Sequence, residues 1–462
     1  MPSMTLGIDV ACRAAHQASL ADDQGRFVFS ARKFRTTSAD LEALWSSLPD
    51  DAALTVVMEP TRNAWVPLAA WFRRHGARVV LIPSEQSADL RDYYAKHTKS
   101  DRIDSRLLAR VPLLHPEGLT ELEGLGPADA LRRLSRLRSS LVKRRSLVIA
   151  RLDAYLELLS PAWHACFGAD LVNNTPLRLL ASGYGDPHAL RRIGRARLTK
   201  LCWRYSHGAF GEELATKLLA AADETLSLWQ EELDYGDLAD DIAVEARLAL
   251  GITSEVHEID ERLLVHLAAI DPNKILASVP GVALVNGAQI LSRLGNPNRF
   301  RSLAGVRSFS GLVPSLTSSG QSGHHGPPTK SGDAPLREAL FLAANWARRI
   351  DPTLAQRYHR LMVQEGKHHN SALCQVSAVL LTRIVACWRA GTPYEIRDLD
   401  GTVLNKAEGR RIVDQRYRVA EDIRALRRST RREVGTSRRS QESPSAPSTD
   451  SSPTKATALV GT

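Results

Sequence analysis

The first 110 residues alternate strand-like and helical patterns in an order that few folds share. Residues 5–10, 16–20 and 27–30 read as short strands, the latter two joined by the turn Ala21-Asp22-Asp23-Gln24-Gly25. A helix over 37–48, a strand over 54–58, a helix over 64–75, a strand over 78–82 and a helix over 101–111 follow. Carboxylates stand at the ends of these elements. Asp9 closes the apolar run Thr5-Leu6-Gly7-Ile8, and Glu59 closes Leu54-Thr55-Val56-Val57-Met58. Asp101 and Asp104 stand three apart in Lys99-Ser100-Asp101-Arg102-Ile103-Asp104, on one face of the last helix.

The order βββαβαβα is that of the ribonuclease H-like fold. There the first strand carries an Asp, the fourth a Glu, and the last helix one or two more acids. Four carboxylates delivered to one point repel one another unless cations neutralise them. Two hard divalent ions about 4 Å apart, acting on phosphate, resolve that repulsion. The bland alternative is four unrelated surface acids, which every protein carries. Each of these acids falls where the fold would place it, so the pattern favours metal-dependent cutting or joining of nucleic acid.

A chain of 462 residues is too long for one ordinary core and predicts two or three domains. Its formal charge of +10 suits a polyanionic partner. Cys12, Cys166, Cys202, Cys374 and Cys387 are scattered without a CxxC pair, which argues for a reducing compartment and against a zinc module. The N-terminus lacks a basic-then-apolar signal pattern, and no stretch reads as a membrane span. A soluble cytoplasmic protein is expected.

Residues 131–159 read as one long helix, with Leu134, Leu141, Val148 and Tyr155 recurring every seven residues. Eight Arg/Lys and no acid lie between Leu131 and Arg151, which suits a partner helix, a phosphate backbone or a solvated face equally. Residues 226–267 read as the returning arm of a coiled coil. Leu276-Ala277-Ser278-Val279-Pro280-Gly281-Val282, then Ala288-Gln289-Ile290-Leu291 and Gly295-Asn296-Pro297, resembles a helix-hairpin-helix, whose turn presents backbone N–H groups to phosphates. Regular patterning weakens after Tyr394. Between Arg424 and Arg439 seven arginines face one acid, Glu433, and beyond Ser440 the Ser/Pro/Thr-rich tail cannot bury a core.

Gly311-Leu312-Val313-Pro314 leads through Ser318-Ser319-Gly320 into a Gly/Ser/Pro-rich loop that reaches Gly332. A serine before glycine in such a loop is ordinary turn chemistry or a nucleophile, and spacing alone does not decide. His324, His325 and Lys330 read as loop residues able to act as a base or touch phosphate. Gly366-Lys367-His368-His369 reads as a helix-start loop.

Taken together, Gly7-Ile8-Asp9-Val10-Ala11, Met58-Glu59-Pro60-Thr61, Thr98-Lys99-Ser100-Asp101-Arg102-Ile103-Asp104 and Gly311-Leu312-Val313-Pro314…Ser319-Gly320 resemble the DEDD transposases of bacterial insertion sequences. The resemblance is to the insertion-sequence one-ten type, related to the Piv and MooV DNA invertases, and spans about residues 4–395. It implies an α/β plus α architecture: a ribonuclease H-like (RuvC-like) domain over 1–125 and helical, coiled-coil residues over 126–270. A mainly helical transposase domain with the helix-hairpin-helix-like segment and serine loop would cover 271–400, and a basic, then Ser/Pro-rich tail 401–462. It also implies Mg²⁺ held by Asp9, Glu59, Asp101 and Asp104, and Ser319 as the nucleophile that leaves a phosphoserine link to DNA, with Ser318 as fallback. The implied partners are DNA (element ends and target), a structured noncoding guide RNA, and further copies in a homodimer or tetramer. The sequence departs from the pattern at Cys12 and Arg13, and at Lys330-Ser331-Gly332-Asp333.

The function this implies is strand cleavage and rejoining without an energy cofactor. The enzyme alternative is a hydrolytic Holliday-junction resolvase or ribonuclease H-like nuclease, with water in place of Ser319. The non-enzyme alternative is a retired transposase that only binds DNA or RNA. An actin-like sugar kinase also begins with Gly-Ile-Asp, but no second glycine-bearing phosphate strand pair is present.

Overall fold

A computed structural model of the chain describes residues 2–49, 52–94, 101–116, 119, 121–122, 124, 126–167, 171–319, 322–328 and 332–428. Thr98, Lys99, Ser100, Gly320, Lys330, Ser331 and the tail beyond 428 lie outside the described residues. The chain divides into two compact units, Met1–Lys274 with Ala283–Arg299, and Ile275–Val282 with Phe300–Thr462.

The first unit opens on a sheet of β1 (Ser3–Asp9), β2 (His16–Ala21), β3 (Phe27–Phe34), β4 (Ala53–Met58) and β5 (Arg78–Leu81), in the order β3-β2-β1-β4-β5. β1 pairs antiparallel with β2 and parallel with β4, and β4 is parallel to β5. Helices α1 (Ser38–Trp45), α2 (Trp65–Arg74), α3 (Ser84–Tyr94) and α4 (Asp101–Leu114) complete this part. One face of the sheet buries Leu6, Ile8, Val56, Met58 and Val79 with Leu41, Leu44, Leu68 and Phe72 of α1 and α2. The other buries Val57 and Val80 with Leu107, Leu108 and Val111 of α4. Near-continuous apolar runs in β1 and β4 follow from burial on both faces.

Two helices depart from expectation. The sequence reading assigned nothing to α3, whose segment Ser84-Glu85-Gln86-Ser87-Ala88-Asp89 is too polar to show a helical stripe. α4 was expected to end at 111, yet runs through Pro112 to Leu114. Only two residues follow the proline, so little of the helix lies beyond the lost N–H donor.

α4 lies directly on β1. A Cβ at Gly7 would come 2.2 Å from Ala109 N, 2.3 Å from Ser105 O and 2.7 Å from Leu108 C, all helix backbone. Ser19 Oγ and Ser105 Oγ, 2.9 Å apart, add a buried hydrogen bond between β2 and the same helix. Gly7→Val is therefore expected to cost about 3 kcal/mol by overpacking. The first unit's thermal transition should fall by roughly 10 °C, and an unchanged melt would refute the close approach.

Next comes α5 (Ala130–Leu159), then α6 (Ala162–Phe167), α7 (Asn174–Ala181), α8 (Pro187–Ile193), α9 (Arg195–Tyr205), α10 (Glu212–Trp229) and α11 (Tyr235–Ile270). α5 and α11 pack antiparallel within the chain, and Leu131, Leu134, Val148, Leu152, Leu156 and Leu159 are the buried stripe of α5. Arg138 Nη2 donates to Asp260 Oδ2 at 3.0 Å, and Arg151 pairs with both oxygens of Glu245 at 2.8 and 3.0 Å. Part of the basic face is thus neutralised internally. The returning helix starts at Tyr235 and not at Leu226, which belongs to α10. Gln230 at φ 51° breaks the chain, and Asp234 caps the new helix by accepting from Gly236 N and Asp237 N.

The second unit contains α12 (Ile275–Ser278), while α13 (Leu284–Leu294) belongs to the first. Gly281, at φ 78°, would place a Cβ 2.2 Å from Ala343 O. That close approach alone is enough to require a glycine at this turn. There follow α14 (Leu303–Ser310), β6 (Pro314–Ser319), β7 (Ser322–Pro328), α15 (Ala334–Ala347), α16 (Pro352–His359) with a π turn (Arg360–Gln364), and α17 (His369–Ala390). The hairpin β8 (Ile396–Arg397) and β9 (Val403–Leu404), α18 (Lys406–Arg416) and a helical segment at 421–428 complete the described chain. The sequence reading gave no element past 394. α18 is set by a capping box in which Asn405 and Glu408 satisfy each other's backbone.

α17 is, by length and composition, apolar enough to cross a membrane, a stretch the sequence reading passed over. In this fold it is a core helix that buries Ala372, Leu373, Val376, Leu380, Leu381 and Ile384 against α15, α14 and α16.

Candidate metal centre and serine hairpin

Strand register brings the first two acids together. Ile8 of β1 pairs with Met58 of the parallel strand β4, so Asp9 and Glu59 are the next residues of neighbouring strands. Such strands lie about 4.8 Å apart. Both acids are partly exposed, at the carboxyl ends of the two strands. The contact of α4 with Gly7 fixes the third: Ser105 touches Gly7, and Asp104 precedes it in the first turns of that helix. Asp101 opens the helix, three residues before Asp104. The four predicted acids therefore fall on the ends of two adjacent strands and the start of the helix laid across them.

Asp104 has a cationic neighbour that sequence reasoning missed. Arg91 of α3 places Nη1 3.2 Å from Asp104 Oδ1, with side-chain exposures of 21% and 13%. His16 was missed too. Its buried Nδ1 accepts from Ala11 N at 3.1 Å, just beyond Asp9, so its remaining proton sits on Nε2, 2.7 Å from Thr36 Oγ1. Burial lowers its pKa, which agrees with a neutral ring tying the turn that follows Asp9. After Glu59, Arg62 holds φ 48°, a left-handed backbone that a side-chain-bearing residue rarely adopts. A buried histidine and a strained arginine carry no periodic signal, so pattern reading could not single them out.

The donor set fits a hard divalent cation: carboxylate oxygens on two strand ends and a helix, locked by a glycine contact that admits no side chain. Among the described residues, the group whose three possible ligand atoms lie mutually within 4.8 Å is a different one, Asp153, Glu157 and His164. His164 lies 3.3 Å from Asp153 and 3.7 Å from Glu157. This partly exposed group is explained as an ion-paired histidine.

Ser319 lies in the second unit, and the segment around it corrects the expectation of an irregular loop. Residues Pro314–Ser319 and Ser322–Pro328 form an antiparallel hairpin in which Ser319 pairs with Ser322, Ser318 with Gly323, Thr317 with His324 and Leu316 with His325. His324 and His325 are thus strand residues. Glycine and proline are depleted in strands, which hid the ladder from propensity. The prolines Pro314 and Pro328 face each other at its open end. Ser318 and Ser319 form the last two pairs before the turn.

The hairpin's root is built tightly. Gly311 ends α14 at φ 67°, and a Cβ at Gly332 would meet Gly311 N at 2.6 Å and Phe309 O at 2.8 Å. Asp333 N donates to Phe309 O at 2.9 Å, Asp333 Oδ1 accepts from Leu336 N, and Arg337 Nη1 donates to Ser310 O at 3.0 Å. Gly332 and Asp333, part of the segment that departs from the family pattern, thus anchor the hairpin to α15.

A family model for DEDD transposases of the IS110 type, described as "Transposase", matches residues 6–161. A second, described as "Transposase IS116/IS110/IS902 family", matches residues 273–359. The chain is 27% identical over 399 residues to the insertion element IS110 uncharacterized 43.6 kDa protein of Streptomyces coelicolor, covering 85% of this chain and 95% of that one. It is 25% identical over 381 residues to the insertion element IS116 uncharacterized 44.8 kDa protein of Streptomyces clavuligerus, covering 80% and 91%. Over 124 residues it is 29% identical to the pilin gene-inverting protein of Moraxella bovis, covering 27% of this chain and 38% of that protein.

Proposed function

This chain belongs to the IS110 family of insertion-element transposases, and from that premise we propose that it cuts and rejoins DNA through a phosphoserine intermediate on Ser319. The observation that carries the reading is the strand register that sets Asp9 beside Glu59 under the acid-bearing start of α4. The sheet order β3-β2-β1-β4-β5 supports a ribonuclease H-like, RuvC-like identity for residues 1–125. Residues 126–270 would act as a coiled-coil arm, 271–400 as the transposase domain, and 401–462 as an appended basic region.

Asp9, Glu59, Asp101 and Asp104 would hold divalent cations, Mg²⁺ being the ion expected. A bound divalent ion supplies Lewis-acid polarisation of the scissile phosphate and charge stabilisation of the departing sugar oxygen. Ser319 Oγ would attack phosphorus, forming a P–O bond as the bond to the departing sugar oxygen breaks, and that oxygen takes up a proton. The phosphoserine conserves the phosphodiester energy for the reverse attack by a new sugar hydroxyl, so no energy cofactor is needed. The reading extends to a homodimer or tetramer in which acids and serine come from different copies. It extends also to a structured noncoding RNA that pairs with target and donor DNA. The protein's own contacts would then read mainly shape and backbone.

The test is incubation of the full chain with Mg²⁺, DNA carrying the element's junction and RNA from its flank, followed by denaturing electrophoresis. A protein–DNA adduct is expected, and chelation of the divalent ion should abolish it. Cleaved DNA without any adduct would move the protein to the hydrolytic nucleases.

A further inference from the structure

In the second unit, arginines from three elements gather with few carboxylates to answer them. Arg348, at the end of α15, is 8% exposed, and both its hydrogen bonds go to the neutral Oδ1 of Asn345, at 3.1 and 2.8 Å. Its guanidinium lies 4.1 Å from the ring centre of Tyr358, whose hydroxyl is 2.7 Å from His369 Nδ1. Burial first, and then the charges of Arg349, Arg424 and Arg428, push Arg348 down to about 10. Burial first, and then the charges of Arg348, Arg428, His368 and Arg424, hold the His369 imidazole down at about 4, so it adds no charge at neutral pH.

The neighbouring cations come from the helical segment 421–428. Arg424, Arg427 and Arg428 stand at i, i+3 and i+4, one face of a helix, where like charges destabilise it. Arg427 packs its guanidinium at Gly366, 3.0 Å from where a Cβ would stand. Arg357, Arg424 and Arg427 each keep a buried Nε without a hydrogen-bond acceptor among the described residues. Glu421 answers Arg424 at 3.1 Å, and Glu365 is shared between Arg360 and Lys367. Self-repelling cations held together by a fold call for an anion with several oxygens, and a chain of phosphates answers several guanidinium groups at once.

We propose that the arginine face of residues 421–428, with Arg349 and Arg357 and with the charge of the buried Arg348 added from within the fold, is a binding site for the phosphate backbone of duplex DNA. It uses none of the acids and no residue of the serine hairpin. The contact reads charge and not sequence, so it would position the duplex without selecting it. This inference rests on DNA as the substrate. Replacing Asp9 by asparagine should leave the binding intact, so failure of the chemistry and failure of this site are distinguishable.

The experiment is fluorescence anisotropy of the full chain on a labelled duplex of arbitrary sequence, from about 50 to about 200 mM salt. The triple variant Arg424→Gln, Arg427→Gln, Arg428→Gln should bind more weakly on every sequence, with the slope of log affinity against log salt reduced by about 3. The matching triple change to lysine should restore most of the slope, which a purely structural role for the guanidinium groups would not. An unchanged slope in a glutamine variant that melts like wild type would overturn the proposal. A lost slope on structured RNA with none lost on duplex DNA would overturn it as well, in favour of an RNA site.

Discussion

Asp9→Asn is expected to slow DNA cleavage about 10³-fold, a loss of about 4 kcal/mol at the transition state. The change preserves shape and removes one charge from a carboxylate at the end of β1, beside Glu59 on the neighbouring strand. Asparagine keeps the size and shape of the side chain at this partly exposed strand end. The melting temperature should therefore hold to within a few degrees while single-turnover cleavage collapses. Glu59→Gln should behave alike. The double variant should be little worse than either single one, since residues that act as a unit are not additive. A variant that cleaves at the wild-type rate would remove Asp9 from the site and leave the cluster a structural coincidence.

Ser319→Ala is expected to abolish the covalent protein–DNA adduct and to lower strand transfer by about 10⁴-fold or more, as loss of a nucleophile does elsewhere. Ser319 forms the last pair of the β6–β7 ladder, and the hairpin's root is fixed by Gly311, Gly332 and Asp333. Removal of one hydroxyl beside the turn should leave that root and the melt unaltered. Ser318→Ala serves as the comparison and should keep the adduct. If the adduct survives in Ser319→Ala and vanishes in Ser318→Ala, the nucleophile moves one residue back along the strand. If both variants form it, the serine mechanism fails.

What the sequence made legible follows from what periodicity records. The sheet elements came through because β1 and β4 are apolar runs ended by acids, and α5 because its leucines recur over eight turns. α3 left no such trace, since its segment is polar, yet it delivers Arg91 to Asp104. The hairpin β6–β7 was misread as a loop for a related reason: its strands are held by ladder register and a glycine-tight root, and propensity sees neither. Gly7 stood in plain view inside Gly7-Ile8-Asp9. That its missing side chain seats α4 could be read only from the packing. Ser319 itself was not decided by spacing, because serine before glycine describes a turn as well as a nucleophile.

The paired arm formed by α5 and α11 has a further consequence. Its two arginine–carboxylate pairs, Arg138 with Asp260 and Arg151 with Glu245, act as clasps set apart along the same pair of helices. Each residue of an α-helix turns its side chain by about 100° and advances it about 1.5 Å. Deleting one residue between the clasps would swing the far one out of reach of its carboxylate and rotate the leucine stripe with it. Substitution leaves that spacing untouched. The arm is accordingly held to a fixed length far more strictly than to a fixed sequence, and tolerated variation within it should run to exchanges and not to gaps.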